Sequence, residues 1–253
     1  MNWQLLNKAV LHGSMLCLPI TFAFCTPQEA HPSHWSYAEP EHWGELDPAY
    51  SSCSLGRTQS PIDVKNAIPS DLPALKIDYQ GVPLKIIDNG HTIQVNYPPG
   101  STLAVGDKTY SLKQFHFHHP AEEHINGKSF PFVAHLVHAD AEGHLAVIAV
   151  VFETGTVNAL IDLLWKNIPS EKDKANNISS VSVQAGDLLP IERGYYTFKG
   201  SLTTPPCTEG VTWYVLQSHA TIAPKQVEAF ARIYPRNARP IQPTNGREIL
   251  QSK

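Results

Sequence analysis

The sequence predicts one mainly β domain around a large sheet, with about ten short strands and two helices. Three observations predict it. Short segments such as residues 75–79 and 92–97 alternate apolar and polar side chains, the period-two pattern of a half-buried strand. The 21 prolines and 15 glycines are spread along the chain, so turns are frequent. Only two segments place apolar residues at helical spacing. A chain of 253 residues is an ordinary length for a single β-rich domain.

Residues 1–25 read as an export signal. Lys8 gives a weakly basic start, and residues 9–25 are largely apolar without Asp, Glu, Lys or Arg. Ala23 and Cys25 offer the small residues a cleavage site needs. His12, Gly13 and Pro19 interrupt the stretch, which disfavours a permanent membrane span. The alternatives are a buried N-terminal helix and acylation of Cys25; Phe24 argues against the second. The domain then runs from 26 to 253.

The aromatic-rich residues 34–44 lack a period, and Pro40 and Pro48 exclude a long helix, so an irregular segment packed on the domain is expected. Residues 59–64 lead into a strand, and 75–79 and 84–87 are short strands. Asp88-Asn89-Gly90 is turn chemistry. The next strand has His91 at its solvent-accessible start. Residues 103–112 form a hairpin around Gly106-Asp107. Residues 114–118 and 132–138 are two further strands. The apolar run 145–152 reads as a strand buried on both faces. Leu160, Ile161, Leu164, Trp165 and Ile168 keep helical spacing until Pro169. Residues 182–189 are loop or short strand, and 195–198 and 211–216 are strands. Pro224 opens a second amphipathic helix with Val227, Phe230, Ala231 and Tyr234. From Arg239 onward the tail reads as irregular.

The formal net charge is −4 with no long run of either sign. Nucleic acid and anionic membrane surfaces, which call for a basic patch, are therefore not expected partners. Export would remove Cys17 and Cys25 and leave Cys53 and Cys207. Two cysteines in an exported chain form one disulfide or remain two buried thiols.

The chemistry is concentrated between Gln114 and His135, where five histidines and two adjacent glutamates fall within 22 residues. His116 and His118 alternate with Phe115 and Phe117, so on a strand both imidazoles share one face. On the next strand Val133, His135 and Val137 share a face. Three imidazoles converging from neighbouring strands suit a zinc ion with its fourth position open. Three core histidines satisfied by hydrogen bonds are the competing explanation.

Here the sequence resembles the α-class carbonic anhydrases of the exported bacterial type. The resemblance rests on His34-Trp35-Ser36-Tyr37, Gln59-Ser60-Pro61-Ile62-Asp63, Asn89-Gly90-His91, Gln114-Phe115-His116-Phe117-His118, Glu123-His124, His135-Leu136-Val137-His138, Ser201-Leu202-Thr203-Thr204-Pro205-Pro206, Val211-Thr212-Trp213 and Asn237-Ala238-Arg239-Pro240. It implies a mainly β (α+β) single domain with a largely antiparallel twisted sheet of about ten strands. It also implies Zn2+ on His116, His118 and His135, and attack of zinc-bound hydroxide on carbon dioxide to give bicarbonate and a proton. His119 and His138 are then non-ligands, and His124 is a structural residue of the Glu-Glu-His turn.

Further roles follow from the same resemblance. Thr203 orients the hydroxide and donates its own proton to Glu123, with Glu122 the exposed neighbour. Val137, Val147, Leu202, Thr204, Val211 and Trp213 line the substrate pocket. His91 is the proton shuttle, and Tyr37, Asn89 and Gln94 hold the connecting waters. Gln114 and the main-chain carbonyl of Asn237 support His116 and His118. Cys53 and Cys207 stand where exported members carry a disulfide, and Ser60-Pro61 and Pro205-Pro206 where they carry cis peptide bonds. Sulfonamide or anion inhibitors, a periplasmic or secreted location and a monomer or homodimer are implied as well.

One departure is visible. The family commonly places a glutamate two residues before the third ligand, where this chain has Val133. His135 is then expected to rest on water or backbone, or to be poorly fixed. Two other readings share the motif: a zinc esterase using the same site, and a catalytically silent binding domain of the same fold.

Overall fold

The computed structural model describes residues 34–253, so the predicted export signal lies outside the described residues. Thirteen strands form one mixed sheet. Its main path runs Lys174–Val183, Val82–Asp88, Ile93–Asn96, Lys108–His118, Phe132–Ala139, Leu145–Thr154, Glu209–Leu216, Tyr195–Ser201, Leu250–Ser252, Ile68–Ser70. Three shorter strands flank this path. Most pairs are antiparallel. Leu145–Thr154 runs parallel to Glu209–Leu216, and Leu250–Ser252 runs parallel to Ile68–Ser70.

The period of two explains how the sheet carries both a core and a site. In Phe132–Ala139, Phe132, Ala134 and Leu136 enter one apolar cluster, while Val133 enters the cluster on the opposite face. In Leu145–Thr154, Ile148, Val150 and Phe152 take the first face and Val147, Ala149 and Val151 the second. Both faces are buried, which accounts for the uninterrupted apolar run. The helices Ala159–Trp165 and Pro224–Ala231 pack on the first face through Leu160, Ile161, Leu164 and Phe230. Asn158 caps the first helix by accepting from the Ile161 N–H at 3.0 Å. Gln226 joins the two helices by accepting from the Asn158 N–H at 2.9 Å and donating to its carbonyl at 2.8 Å.

The structure differs from the sequence expectation at the margins. Lys174–Val183 is a ten-residue strand on the sheet edge, where a loop or short strand from Ser182 was expected. Its outward side chains are polar and its pairing shifts between Ile178 and Ser182, so no alternation survives to be read. The segment expected to be irregular, residues 34–44, contains short helical turns at Pro40–His42 and Trp43–Leu46, and two more follow at Pro48–Tyr50 and Ser52–Leu55. The tail adds the strand Leu250–Ser252. Cis peptide bonds occur at Ser60-Pro61 and Pro205-Pro206, and also at His119-Pro120.

A disulfide joins Cys53 in the turn Ser52–Leu55 to Cys207, with Cα atoms 5.0 Å apart and a sequence separation of 154. It fastens the loop after Tyr195–Ser201, which carries Thr203 and Thr204, to the segment at the domain's N-terminal edge. In the chain-entropy account, the double variant Cys53→Ser/Cys207→Ser loses ~3–5 kcal/mol of unfolding free energy. Equilibrium urea denaturation reads this directly, and a loss below about 1 kcal/mol would contradict it.

His138 lies in the core behind the site face. Its Nε2 accepts from the Tyr79 hydroxyl at 2.7 Å, and its Nδ1 donates to the Ala146 carbonyl at 3.3 Å. Burial pushes its pKa down from 6.5 to about 4, against the pull of its backbone acceptors. A depressed folded pKa means that the unfolded chain takes up the proton first. Stability from this ring is therefore complete above pH 6.5 and is lost as pH falls from 6.5 towards about 4. The slope reaches at most about 1.4 kcal/mol per pH unit. Urea midpoints measured across that window should show the slope, and His138→Asn should flatten it.

Candidate metal centre

The antiparallel pairing of Lys108–His118 with Phe132–Ala139 sets His116 opposite His135 and His118 opposite Val133. Three imidazoles thereby gather on one side of two adjacent strands. One ring nitrogen from each of His116, His118 and His135 lies within 4.8 Å of the others. The remaining nitrogens are committed. His116 Nδ1 donates to Gln114 Oε1 at 2.8 Å. His118 Nδ1 donates to the main-chain carbonyl of Asn237 at 2.7 Å. His135 Nε2 donates to Glu123 Oε1 at 2.8 Å.

These bonds leave Nε2 of His116, Nε2 of His118 and Nδ1 of His135 as the inward-facing lone pairs. His118 Nε2 is buried and has no hydrogen-bond partner. A buried polar atom without a partner is costly in a native fold, and a metal ion supplies the missing interaction. Burial pushes His116 down to about 3 and His118 well below the ordinary histidine range, with repulsion from His135 adding to both. Both rings therefore stay neutral, the form that ligates metal. The residues present fit zinc. A second histidine-carboxylate group, Asp140, Glu142 and His144, lies on a surface turn where Asp140 already accepts from both backbone N–H groups and from the His144 ring.

The two glutamates require a correction. Glu122 is not exposed: it is 2% accessible, and Glu123 is fully buried. Glu122 Oε1 accepts from the Arg239 backbone N–H at 2.8 Å. Burial raises its pKa to about 7, opposed by His135, the Arg239 N–H and the Thr203 side chain. The Thr203 side chain thus acts on Glu122, where the sequence had assigned it to Glu123. Glu123 sits on the far nitrogen of His135. The expectation that His135 rests on water or backbone, or is poorly fixed, is overturned with it. Burial pushes His135 down, but Glu123 and then Glu122 outweigh it, and its pKa ends above the ordinary value.

A cavity of about 120 Å³ is lined by His116, His118, Gln114, Thr204, Gln94, Asn89, Tyr37 and His91. It connects the metal-facing rings with the candidate shuttle. His91 is partly exposed, and burial followed by His34 lowers its pKa. Its ring stacks on Trp35 with centroids 3.7 Å apart and planes 5° from parallel. The Asn89 side chain shapes the turn by accepting from the N–H groups of His91 and Thr92 at 3.0 and 2.9 Å. Asn237 donates to the His91 carbonyl at 3.1 Å, and so touches both the turn and the candidate ligand His118.

The apolar residues collect beside His135. Val137 pairs with Val147, and Val147 with Trp213, across three neighbouring strands. Leu202 and Val211 join the same cluster. The Trp213 ring meets the His135 ring edge-on at 4.9 Å. His119 turns away to donate to the Pro131 carbonyl at 2.8 Å, and His124 sits in a two-residue strand opposite Asp63. Trp35 and Arg239 stand in segments that carry the family resemblance, but the sequence assigned neither a role. The Arg239 guanidinium donates to Gln59 Oε1 and to the carbonyls of Ser60 and Cys53, each at 2.8 Å, and its backbone holds Glu122. An arginine beside a proline gives no local sign of such distant partners.

This geometry agrees with the comparisons. The family described as eukaryotic-type carbonic anhydrase matches residues 38–253. A carbonic anhydrase of Pectobacterium carotovorum is 42% identical over 241 residues, covering 93% of this chain and 98% of that protein. A hyperthermostable carbonic anhydrase from an active hydrothermal vent chimney superposes with a TM-score of 0.84 at 44% identity, over 87% of this chain and all of that one. An α-carbonic anhydrase from Thermovibrio ammonificans, solved with sulfanilamide, gives 0.83 at 38% identity over 87% and 99% of the two chains. With three histidines on two paired strands, the sheet that holds them and these relatives in agreement, the chain belongs to the α-class carbonic anhydrases.

Proposed function

We propose that this chain hydrates carbon dioxide reversibly at a zinc ion held by His116, His118 and His135, and that His91 carries the product proton to solvent. The observation that carries this reading is the buried, partnerless Nε2 of His118 beside two further imidazole nitrogens. When bound, zinc supplies the Lewis acidity that makes water a nucleophile near neutral pH, an effect for which this family is itself the reference case.

The protein's own groups do the rest. Thr203 gives its hydroxyl proton to Glu122, so its oxygen can only accept from the nucleophile, and the attacking lone pair is aimed. Glu122 is held for this by the Arg239 N–H. Val137, Val147, Leu202, Val211 and Trp213 offer carbon dioxide a dry wall, and Thr204 adds a polar edge. Tyr37, Asn89 and Gln94 line the cavity that His91 shares with the ligands, where they can order a water chain. The His91 imidazole can accept a proton at one ring nitrogen and release one from the other, which suits both halves of the transfer. The disulfide supports an oxidising compartment, periplasmic or extracellular. The sulfanilamide complex of the relative supports inhibition by sulfonamides.

Zinc analysis with stopped-flow hydration tests the reading. One zinc per chain and hydration well above buffer are expected; stoichiometric zinc without hydration would refute it. Glu122→Gln and Thr203→Ala should each lower kcat/KM by roughly 100-fold with zinc retained. His91→Ala should lower kcat and spare kcat/KM, and added imidazole buffer should restore kcat.

A further inference from the structure

His135 stands apart from the other two rings in what holds it. On its own strand, the residue two positions earlier on the same face is Val133, which is fully buried in the apolar cluster with Val147, Ala149 and Val151. A valine cannot accept a hydrogen bond. The acceptor arrives instead from outside the strand: Glu123 Oε1 lies 2.8 Å from His135 Nε2. Glu123 is placed there by its neighbours. His124 and Ile125 form a two-residue parallel strand with Asp63 and Val64, and Glu122 is anchored on the Arg239 N–H. The two consecutive glutamates meet the same imidazole at different atoms. Glu123 takes Nε2, while Glu122 Oε2 remains 3.9 Å from Nδ1.

We infer that Glu123 is the positioning residue for the third ligand, and that it replaces a strand-borne acceptor at position 133. Its carboxylate holds the His135 proton on Nε2 and so presents the Nδ1 lone pair to the metal. Loop and strand divide the work differently from the expectation for this family: the loop supplies the acceptor, and position 133 is released to the dry cluster. The two positions are then coupled. A carboxylate is needed at one of them, and carboxylates at both would compete for a single N–H in an apolar setting.

This inference rests on the zinc reading above, and its test separates the two. Zinc-loaded enzyme is mixed with excess dipicolinate, and the rate of zinc loss is followed for the wild type, Glu123→Gln, Glu123→Ala, Val133→Glu and Glu123→Ala/Val133→Glu. Glu123→Ala should lose zinc about 10–100-fold faster. Glu123→Gln keeps an acceptor oxygen and should fall between it and the wild type. The double variant should recover most of the lost retention, and Val133→Glu alone should not improve on the wild type. Circular dichroism reports whether each variant is folded. If Glu123→Ala folds poorly, the decision passes to Glu123→Gln, where nitrogen-15 shifts of the His135 ring should still report the proton on Nε2. Equal zinc loss from the wild type and from every folded Glu123 variant would overturn the inference and leave the zinc reading intact. A wild type that takes up no zinc would overturn both. Tighter zinc retention in Val133→Glu alone would show that Glu123 does not fill the role.

Discussion

Each buried imidazole has two nitrogens, and a metal centre works only if one is committed elsewhere. That constraint organises this molecule. Gln114, the Asn237 carbonyl and Glu123 each take one ring N–H, at 2.7–2.8 Å. The three acceptors differ in origin: a side chain on the ligand strand, a main-chain oxygen from the C-terminal region and a carboxylate from a loop. The sheet can bring the rings together by register alone. It cannot fix their tautomers, so distant parts of the chain are recruited to do so.

The recruitment explains why so much polarity is buried around the centre. Glu122, Glu123, Thr203, Asn237 and Arg239 are all buried, on or beside a sheet whose faces are otherwise apolar. Buried charge is tolerated where it is paired and hydrogen-bonded. Arg239 gives its guanidinium to Gln59, Ser60 and Cys53 and its N–H to Glu122. Asn237 uses its side chain on His91, Phe117 and His119 and its carbonyl on His118. Two residues of one short segment thus hold Glu122, His118 and the turn of His91 together.

The legible and illegible parts of this structure divide along the same line. Strand alternation exposed the shared face of His116 and His118, and the apolar run 145–152 exposed a doubly buried strand, because both follow from local period. The edge strand Lys174–Val183 escaped because only one of its faces packs and its pairing slips midway. The division of labour between Glu122 and Glu123 escaped for another reason. Adjacent carboxylates in a loop carry no period, and their partners at His135, Thr203 and Arg239 are distant in sequence or on other elements. Val133 was the one local clue. It said that an acceptor was missing from the strand, without saying where its replacement stood.

Asn237 and Arg239 lie near the C-terminal end of the sequence, and the contacts they make are non-local. The two histidine strands pair through their own register, which does not involve that segment. Until it docks, His118 lacks the acceptor that fixes its tautomer and Glu122 lacks its N–H donor. A metal-competent site therefore requires the C-terminal segment to be docked. The tautomer of His118 thus depends on a contact 119 residues away in sequence, so a change in the C-terminal segment reaches the centre without touching either strand.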